Sequence, residues 1–419
     1  MDIATAFSLV GLVIFIGFSG HFLFERIKIP DILILIFLGL AIGPIFHLVD
    51  PTLFVGVTPY FASLALMIIL FDGGLGLNFD KVLKQFGVSM LQTISAFLAC
   101  ILAITSIFYF IFRWDIITSL LISSIIGATS APIVLPLVAH MKIVDDTRTV
   151  LSLESVITDV LSVVVVISLI QLHPAVGGDS SATSYKSALG SLASSFCIGI
   201  VVGGFVGIIW LKILKWLYGK PYSFMITIAA LFLLYAGVET LGGSGAMASL
   251  LFGMVLANKE EVTRMLKMET TFVFDERIKQ FHSEFAFFIR TFFFVYIGVV
   301  FTFGWATNIK YIFLFILTIS IMFMAILSTR YIISFVTVRA NVALKKDRTV
   351  IWIMLPRGLA AAVLASMVVS KGIAPPPTGD YIWSILDIVF MIILLTSATA
   401  TVGTFVVERS KIKNEKDSS

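Results

Sequence analysis

Residues 127–136 read GATSAPIVLP, inside a stretch that is otherwise largely apolar. Pro132 and Pro136 each lack the backbone N–H that an α-helix needs, and the small residues before them favour unwinding. Residues 355–363 read LPRGLAAAV and place a proline and a glycine in the middle of a second apolar stretch. The two segments predict two interrupted helices at corresponding positions in the two halves of the chain.

The chain around these segments has the composition of a polytopic membrane protein. Of its 419 residues, 59% are hydrophobic and 13% are charged, which is too little polar surface for a soluble protein of this size. Most apolar runs reach the length of a helix that crosses a hydrocarbon core of about 30 Å, and strand-type alternation is absent. Thirteen helical spans are predicted, near residues 4–22, 30–48, 58–71, 86–112, 116–138, 150–171, 189–211, 222–238, 243–257, 281–303, 310–337, 350–370 and 381–407.

The basic residues of the connecting segments predict the orientation in the membrane. Segments that alternate along the chain carry 22 and 4 Lys and Arg residues on the two sides, and basic loops stay on the cytoplasmic side. The N-terminus is therefore expected outside, and the short tail 408–419 in the cytoplasm, of a cell (plasma) membrane. The first span lacks the features of a cleaved signal peptide and is expected to be retained. The net charge of +4 follows from this topology and indicates no nucleic-acid partner.

Several charged residues lie inside or at the edges of the spans. A charge at the middle of the bilayer costs about 2.5–3.5 kcal/mol on insertion scales, so such residues are expected to be paired or functional. They are Arg290, Arg330, Arg357, Asp72, Glu154, Asp159, Glu239, Glu284 and Asp387. The two cysteines and five histidines form no ligand-spaced cluster, so no metal framework or cofactor is predicted.

The spacing of these charges supports an internal repeat. Thr129 to Asp159 and Arg357 to Asp387 are both 30 residues apart, so each interrupted span precedes a span with an acidic residue. Interrupted helices at corresponding positions of two halves indicate an inverted-repeat secondary transporter, with its site where they cross. Proline kinks alone are common in membrane helices, but a matched pair with charges favours transport.

The sixth span carries the residues best suited to bind a cation. Ser155, Asp159 and Ser162 are spaced to share one face of a helix. Together with the loosened backbone near Thr129 and Ser130, this carboxylate and these hydroxyls make a hard-oxygen site that suits Na⁺ or K⁺. The same carboxylate can bind a proton instead, and competition for one alternately exposed group is sufficient for cation/proton exchange.

The other membrane charges have less distinctive surroundings in the sequence. Glu154 points about 100° away from its neighbour Ser155, and is expected to pair with a membrane arginine because an unpaired buried charge is costly. Arg290 is expected to pair with a nearby acid, either Glu284 or Asp72. Asp387 either pairs with an arginine or lines the crossing of the interrupted helices.

The chain resembles, over essentially its whole length, the NhaP-type sodium/proton antiporters of the cation:proton antiporter superfamily. The segments that carry the resemblance are IPDILILIFLGLAIGP (29–44), GATSAPIVLP, LESVITDVLSVV, FAFFIRTFFFVYIGVVF, LSTRYIISF and LPRGLAAAVLA. It implies an all-α polytopic fold of about 13 transmembrane helices, with inverted repeats and crossed broken helices. It also implies transport rather than enzymatic activity: Na⁺ exchanged for H⁺ in pH homeostasis.

The resemblance further implies an assembly and a mode of motion. Residues 1–419 would form a single antiporter domain that sits in membrane lipid as a homodimer. A dimerisation part, which includes 1–48 and 189–257, would stay fixed. A core bundle, which includes 116–171 and 310–407, would carry the ion in an elevator-type movement.

The resemblance assigns roles to individual residues by position. The residues assigned to the family's ion and proton site are Asp159, Ser155, Thr129, Ser130 and Thr158, and Na⁺ or K⁺ would bind at the first four. Glu154 and Arg330 match the family's buried ion pair, and Arg357 matches the arginine of an RG motif in the broken twelfth helix.

Two positions depart from the family pattern. Thr158 stands where electroneutral members usually have asparagine, and it cannot offer an amide. Ser130 stands where many relatives have aspartate, so selectivity for Na⁺ over K⁺ stays open. With Glu154 neutralised by Arg330, the single acid Asp159 predicts one-for-one, electroneutral exchange.

Three rival functions remain as alternatives. A K⁺/H⁺ antiporter of the same fold differs only in the cation. A channel would need a continuous polar pore, and no filter sequence is visible. An intramembrane protease could use Ser244 of GGSG (242–245), but all five histidines lie near the ends of spans, and small residues there are explained by close helix packing.

Overall fold

The computed structural model describes residues 3–27, 31–50, 57–76, 86–173, 182–217, 220, 223–265, 276–301, 309–340, 342–373 and 383–417. Within these ranges all regular secondary structure is helical. The α-helices are α1 (Ile3–Ile27), α2 (Asp31–Leu40), α3 (Thr58–Gly76), α4 (Phe86–Ser106), α5 (Ile116–Gly127), α6 (Ala131–His140), α7 (Asp145–Leu172), α8 (Ala182–Leu217), α9 (Ser223–Thr240), α10 (Gly245–Ala257), α11 (Lys259–Met265), α12 (Glu276–Val300), α13 (Ile309–Ala340), α14 (Arg348–Ile353), α15 (Leu359–Ser370) and α16 (Ile385–Asp417). Single π-helical segments extend α2 and α4, at Ala41–Ile45 and Ile107–Ile111, and a 3₁₀ segment, Val342–Asp347, precedes α14.

The membrane spans agree with the prediction from hydropathy. In the described ranges, seven stretches are long and apolar enough to cross a membrane, and six shorter apolar helices have 10–17 residues. Each corresponds to one of the thirteen predicted spans. Most boundaries differ by up to seven residues, and α16 continues to Asp417, beyond its predicted end at 407. The helix predicted from residue 150 begins at Asp145, because Asp145 and Asp146 favour the positive end of a helix.

The helices group into two compact units. The first comprises 1–59, 85–178 and 291–419, and the second comprises 60–84 and 179–290. The prediction grouped residues 1–48 with 189–257, whereas in the structure 1–48 belongs to the unit that contains the interrupted helices. Which segments mediate dimerisation stays a prediction.

The second unit packs around a compact apolar core. Phe71 of α3, Leu231 of α9 and Phe252 of α10 are all buried within it. The rings of Phe71 and Phe252 lie 5.7 Å apart. Gly253 lets α10 approach α3 closely, since a side chain there would strike the backbone of Phe71.

The first interrupted span consists of α5 and α6. Asp115 begins α5 by accepting a hydrogen bond from the Thr118 N–H at 2.8 Å. After α5 ends at Gly127, Ala128 and Ser130 have extended backbone. Helix α6 then starts at Ala131 with a proline in its first turn, where the missing N–H costs nothing.

The second interrupted span consists of α14 and α15. Residues 354–358 between the two helices are not helical. A proline in this stretch disfavours helical backbone for the residue before it. Helix α7 packs against α4, α5, α6 and α15, and α16 packs against α14 and α15. The residues of both interruptions are therefore held against these two long helices.

A glycine contact in the first unit gives a test of the fold. A Cβ added at Gly298 of α12 would lie 2.5 Å from the Ile36 carbonyl oxygen and 2.8 Å from the Cα of Gly39 on α2. We expect Gly298→Ala to lower the melting temperature of the purified protein by several degrees, since overpacking costs roughly 1–3 kcal/mol. The matched control is Gly204→Ala, because a Cβ there meets nothing within 4 Å. Equal melting temperatures for the two variants would contradict this packing.

Candidate functional site

Asp159 lies at the point where the first interrupted span breaks. Its Oδ2 accepts a hydrogen bond from the N–H of Ala131, the first residue of α6, at 3.2 Å. The carboxylate therefore faces the positive end of α6, which favours a negative charge. Asp159 is 8% exposed and Glu154, on the same helix, is 1% exposed. Both acids are buried, and Asp159 is the less deeply buried of the two.

Arg357 lies at the other end of the same interruption. Its Nη1 donates to the carbonyl oxygen of Ala128, just beyond α5, at 2.9 Å, and its Nη2 lies 3.5 Å from the Sγ of Cys100. A cation at the C-terminal end of a helix is stabilised by the helix dipole. The two broken ends thus carry opposite charges: Asp159 at the start of α6 and Arg357 at the end of α5.

The two interrupted segments contact each other directly. The N–H of Ser130 donates to the carbonyl oxygen of Pro356 at 2.8 Å. A Cβ placed on Gly358 would strike the Ser130 hydroxyl and lie 2.7 Å from the Ser130 Cβ. Glycine at 358 is therefore required for the two segments to cross at this distance.

Thr158 holds the first segment in place. Its hydroxyl oxygen accepts the Thr129 N–H at 3.1 Å, lies 3.1 Å from the Thr129 hydroxyl, and donates to the Glu154 carbonyl oxygen at 2.8 Å. A hydroxyl has one proton, so once Thr158 donates to Glu154, the Thr129 hydroxyl is the donor between the two threonines. The lone pairs of the Thr129 oxygen are then left for another ligand.

Ser130 and Ser155 supply two further hydroxyl oxygens. The Ser130 hydroxyl is buried and has no hydrogen-bond partner among the described residues. The hydroxyl of Ser155, one turn before Asp159, is buried and donates to the Ser152 carbonyl oxygen at 3.0 Å. Both oxygens keep lone pairs, and hydroxyl and carboxylate oxygens are the hard donors that alkali cations prefer.

Glu154 and Arg330 form a buried ion pair. Both guanidinium Nη atoms contact the carboxylate, with Nη2 at 3.0 Å from Oε2. Gln92 of α4 donates to the same Oε2 at 2.7 Å, and the Nε of Arg330 donates to the Ile351 carbonyl oxygen at 2.9 Å. The pair therefore joins α4, α7, α13 and α14, and neutralises the charge of Glu154.

A small cavity lies beside this pair. Its volume is about 10 Å³, and Thr129, Thr158, Glu154, Arg330 and Arg357 are among the residues that line it. This is room for roughly one water molecule. The ion pair and the unwound segment are thus separated by a polar, water-sized space.

The buried charges around the crossing balance. Asp159 and Glu154 are acidic, and Arg330 and Arg357 are basic, so their formal charges sum to zero when all four are ionised. Either a bound proton or a bound monovalent cation at Asp159 raises this sum by one. The two loaded forms of the site therefore carry the same charge.

Asp387 lies at the start of α16. Its carboxylate accepts the Ser384 N–H at 2.8 Å, while its own N–H donates to the Ser384 hydroxyl at 3.1 Å. This reciprocal arrangement caps the start of α16. The residues of this helix that bond to Arg357 are Thr396 and Ser397, and Thr396 lies nine residues after Asp387, about 14 Å along the axis. Asp387 lies in the first turn of its helix, and whether it pairs with an arginine or lines the crossing stays a prediction.

The remaining membrane charges lie in the second unit. The guanidinium of Arg290 lies 5.6 Å from the ring centre of Phe287, a cation–π distance. Asp72 is partly buried in α3 and Glu284 is exposed on α12. The pairing predicted for Arg290 stays a prediction.

Four residues of the site were missed from the sequence. The Gln92 side chain donates to the Glu154 carboxylate, and Cys100 contacts the Arg357 guanidinium. The Thr396 hydroxyl accepts the Arg357 N–H, and the Ser397 hydroxyl donates to the Arg357 carbonyl oxygen. Gln92 had a usable signal, because a side-chain amide inside an apolar span needs a partner. The others look like ordinary small residues of membrane helices and carried no signal.

Comparison with known proteins places this geometry in a family. A family model described as sodium/hydrogen exchanger, transmembrane, matches residues 10–409. The chain is 29% identical over 250 residues to the K⁺/H⁺ antiporter NhaP2 of Shewanella sp. (strain MR-4), a match covering 56% of this chain and 41% of that protein. It is 26% identical over 270 residues to Na⁺/H⁺ antiporter 1 of Methanocaldococcus jannaschii, with 62% and 61% covered.

Solved structures agree on the fold. The sodium proton antiporter MjNhaP1 of Methanocaldococcus jannaschii, solved at pH 8, superposes with a TM-score of 0.74, at 22% identity and over 97% of this chain and 96% of that one. The predicted antiporter fold is thereby confirmed. The matched region is about two fifths of the length of the NhaP2 relatives.

Proposed function

Because the chain belongs to the transmembrane sodium/hydrogen exchanger family, we propose that it exchanges a monovalent cation, Na⁺ in the first place, for H⁺. The observation that carries this proposal is the carboxylate of Asp159 at the crossing. It is buried, it faces a helix N-terminus, and it lies on the helix that also presents Ser155. A site of this kind can bind a cation or a proton, and the two compete for one group.

The proposed cation ligands are the oxygens of Asp159, Ser155, Thr129 and Ser130. Thr158, which was grouped with these ligands from the sequence, is proposed to act by orienting Thr129, since its own hydroxyl is already engaged three times. The N–H of Ala131 competes with the cation for the carboxylate of Asp159. This competition keeps cation binding reversible, as a transporter requires.

We propose one-for-one, electroneutral exchange. The ion pair of Glu154 with Arg330 leaves Asp159 as the acid that changes its load. Since proton-loaded and cation-loaded sites carry the same charge, the protein moves the same net charge in each half-cycle, and one complete cycle moves no net charge across the membrane. Flux in proteoliposomes should then be independent of an imposed membrane voltage.

K⁺/H⁺ exchange is the second candidate. Ser130 provides a neutral hydroxyl where many NhaP-type proteins have a carboxylate, and a weaker field favours the larger, more easily dehydrated cation. Relatives named K⁺/H⁺ antiporter NhaP2 are among those that match. The fold and the site would be the same for either cation.

The family consists of transporters, and we propose that this chain has no enzymatic activity and needs no cofactor beyond the transported ions. We further propose a homodimer in the plasma membrane, surrounded by lipid, with its N-terminus outside and its C-terminus in the cytoplasm. The 22-to-4 distribution of basic residues supports the orientation. Elevator-type movement of the bundle that carries Asp159 would expose the site alternately to the two sides.

Reconstitution into proteoliposomes tests the function. Vesicles that are acidic inside and contain a pH-sensitive dye are exposed in turn to Na⁺, Li⁺ and K⁺. We expect the dye fluorescence to recover on addition of at least one of these cations, and the rate of recovery to be the same when the membrane voltage is clamped. Absence of a response to all three cations would refute antiport, and the ranking of the cations decides between the Na⁺ and K⁺ readings.

Ser130→Ala tests the proposed ligand set. Since the Ser130 hydroxyl has no protein partner among the described residues, its removal should leave the melting temperature unchanged. Loss of one cation ligand should raise the half-saturating cation concentration about tenfold, the effect of roughly 1.4 kcal/mol. Ser366→Ala is the matched control, because that buried hydroxyl on α15 also lacks a partner in the described part of the chain. Unchanged cation affinity in Ser130→Ala would remove Ser130 from the site.

A further inference from the structure

The two unwound segments are held by threonines in the same way. On α7, Thr158 accepts the Thr129 N–H at 3.1 Å. On α16, Thr396 accepts the Arg357 N–H at 3.0 Å. Both threonines are buried, with Thr158 1% and Thr396 0% exposed, so water does not compete for either bond.

Each threonine is oriented by its own helix. The Thr158 hydroxyl donates to the Glu154 carbonyl oxygen at 2.8 Å, and the Thr396 hydroxyl donates to the Ile392 carbonyl oxygen at 2.6 Å. With the proton committed to the preceding turn, the lone pairs of each oxygen point outward. Each hydroxyl is thereby fixed as an acceptor for one N–H of the unwound segment.

The residue after each threonine bonds to a second backbone group at the same interruption. Asp159 accepts the N–H of Ala131 at 3.2 Å, and Ser397 donates to the carbonyl oxygen of Arg357 at 3.3 Å. The pair Thr396–Ser397 on α16 is thus the structural counterpart of Thr158–Asp159 on α7. In the second half a neutral serine replaces the ion-binding acid.

We propose that Thr396 is a positioning residue of the cation site and acts through Arg357. Thr396 and Ser397 hold both backbone groups of Arg357, and the guanidinium of this residue binds the Ala128 carbonyl oxygen at 2.9 Å. Ala128 directly precedes Thr129, a proposed cation ligand. A hydroxyl on α16 thereby sets the geometry of the cation ligands on the opposite interrupted span.

This role rests on the proposed cation exchange and predicts a selective defect. Thr396→Val keeps the shape of the side chain but leaves the Arg357 N–H buried without its Thr396 acceptor, which destabilises the present backbone position of Arg357. We expect the half-saturating cation concentration to rise about tenfold, a change worth roughly 1.4 kcal/mol, with a smaller change in maximal rate. Thr396→Ser retains the hydroxyl and should restore the wild-type value.

Thr399→Val is the matched control. Thr399 lies on the same helix, and its hydroxyl donates to the Leu395 carbonyl oxygen at 2.7 Å, an own-helix bond of the kind that Thr396 also makes. Its substitution should leave the half-saturating concentration unchanged. An equal defect in both valine variants, or failure of Thr396→Ser to restore affinity, would show a merely structural effect and overturn the proposal.

A second measurement separates this inference from the proposed function. Hydrogen–deuterium exchange of the purified protein reports on the peptide that covers residues 354–360 whether or not transport occurs. We expect faster exchange there in Thr396→Val, and wild-type exchange in Thr396→Ser and Thr399→Val. Wild-type protection of this peptide in Thr396→Val would overturn the positioning role. A wild type without cation-driven proton flux would refute the proposed function alone.

Discussion

Asp159→Asn is expected to abolish cation-driven proton movement in proteoliposomes for Na⁺, Li⁺ and K⁺ alike. Asparagine retains the shape of the side chain and an oxygen that can accept the Ala131 N–H, so the fold around the crossing should persist. It cannot ionise, and it offers a cation only a neutral oxygen. Both half-cycles of the exchange therefore fail at the same residue.

Asp145→Asn is the control for this substitution. Asp145 begins the same helix, its side chain is 91% exposed, and it pairs with Arg148 at 2.7 Å. Exposed pairs of this kind contribute about 0–1 kcal/mol, so the variant should transport like the wild type. Flux that survives in Asp159→Asn would move the site elsewhere in the chain.

Breaking the buried ion pair should have the second largest effect. This effect should fall on the stability of the folded protein rather than on ion binding at Asp159. Glu154→Gln leaves the guanidinium of Arg330 buried without its counter-charge, and Arg330→Gln does the same to Glu154. Loss of one partner of a buried pair costs about 3–5 kcal/mol. We expect each single variant to show a much lower melting temperature in detergent and little folded protein.

The double variant Glu154→Gln/Arg330→Gln removes both charges and serves as the internal control. Because no unpaired charge remains, it should be more stable than either single variant. Its side-chain amides can also bond to each other and to Gln92. Additive destabilisation in the double variant would show that the two residues do not act as a pair.

Most of the fold could be predicted from the sequence, because its signals are local. Apolar runs of membrane-spanning length fix the spans, and the prolines at 132 and 356 fix the interruptions. The charge pattern of the loops predicts which ends lie on the same side. The placement of α1 and α2 in the unit that contains the interrupted helices depends on packing between segments far apart in the sequence, such as Gly39 against Gly298, and local signals do not predict it.

The candidate site was only partly accessible from the sequence. Asp159 and Arg357 stand out because charges in apolar spans need a reason. Thr396 does not stand out, since a threonine that bonds its own helix is ordinary in membrane proteins. Equal spacing in the sequence does not show which residue of α16 contacts the interruption, whereas the packed structure shows that Thr396 and Ser397 do.

Thr158 is the position where structure changes the reading most. In the sequence it is a departure from an asparagine, and it was placed among the residues that bind the ion. In the structure its hydroxyl is engaged with Thr129 and with its own helix. Thr396 makes the corresponding contacts with Arg357 and with its own helix. With threonine at 158, both halves of the chain therefore hold their interrupted segment through a threonine hydroxyl.

If cation and proton compete for Asp159, binding of the cation must release the proton. Purified wild-type protein in weakly buffered detergent solution is titrated with Na⁺, Li⁺ and K⁺ over a series of pH values, and released protons are counted against bound cation. At a pH where the site is protonated, we expect about one proton to leave for each cation bound, and none to leave from Asp159→Asn. Cation binding without proton release at every pH, or undiminished release from Asp159→Asn, would contradict competition at Asp159.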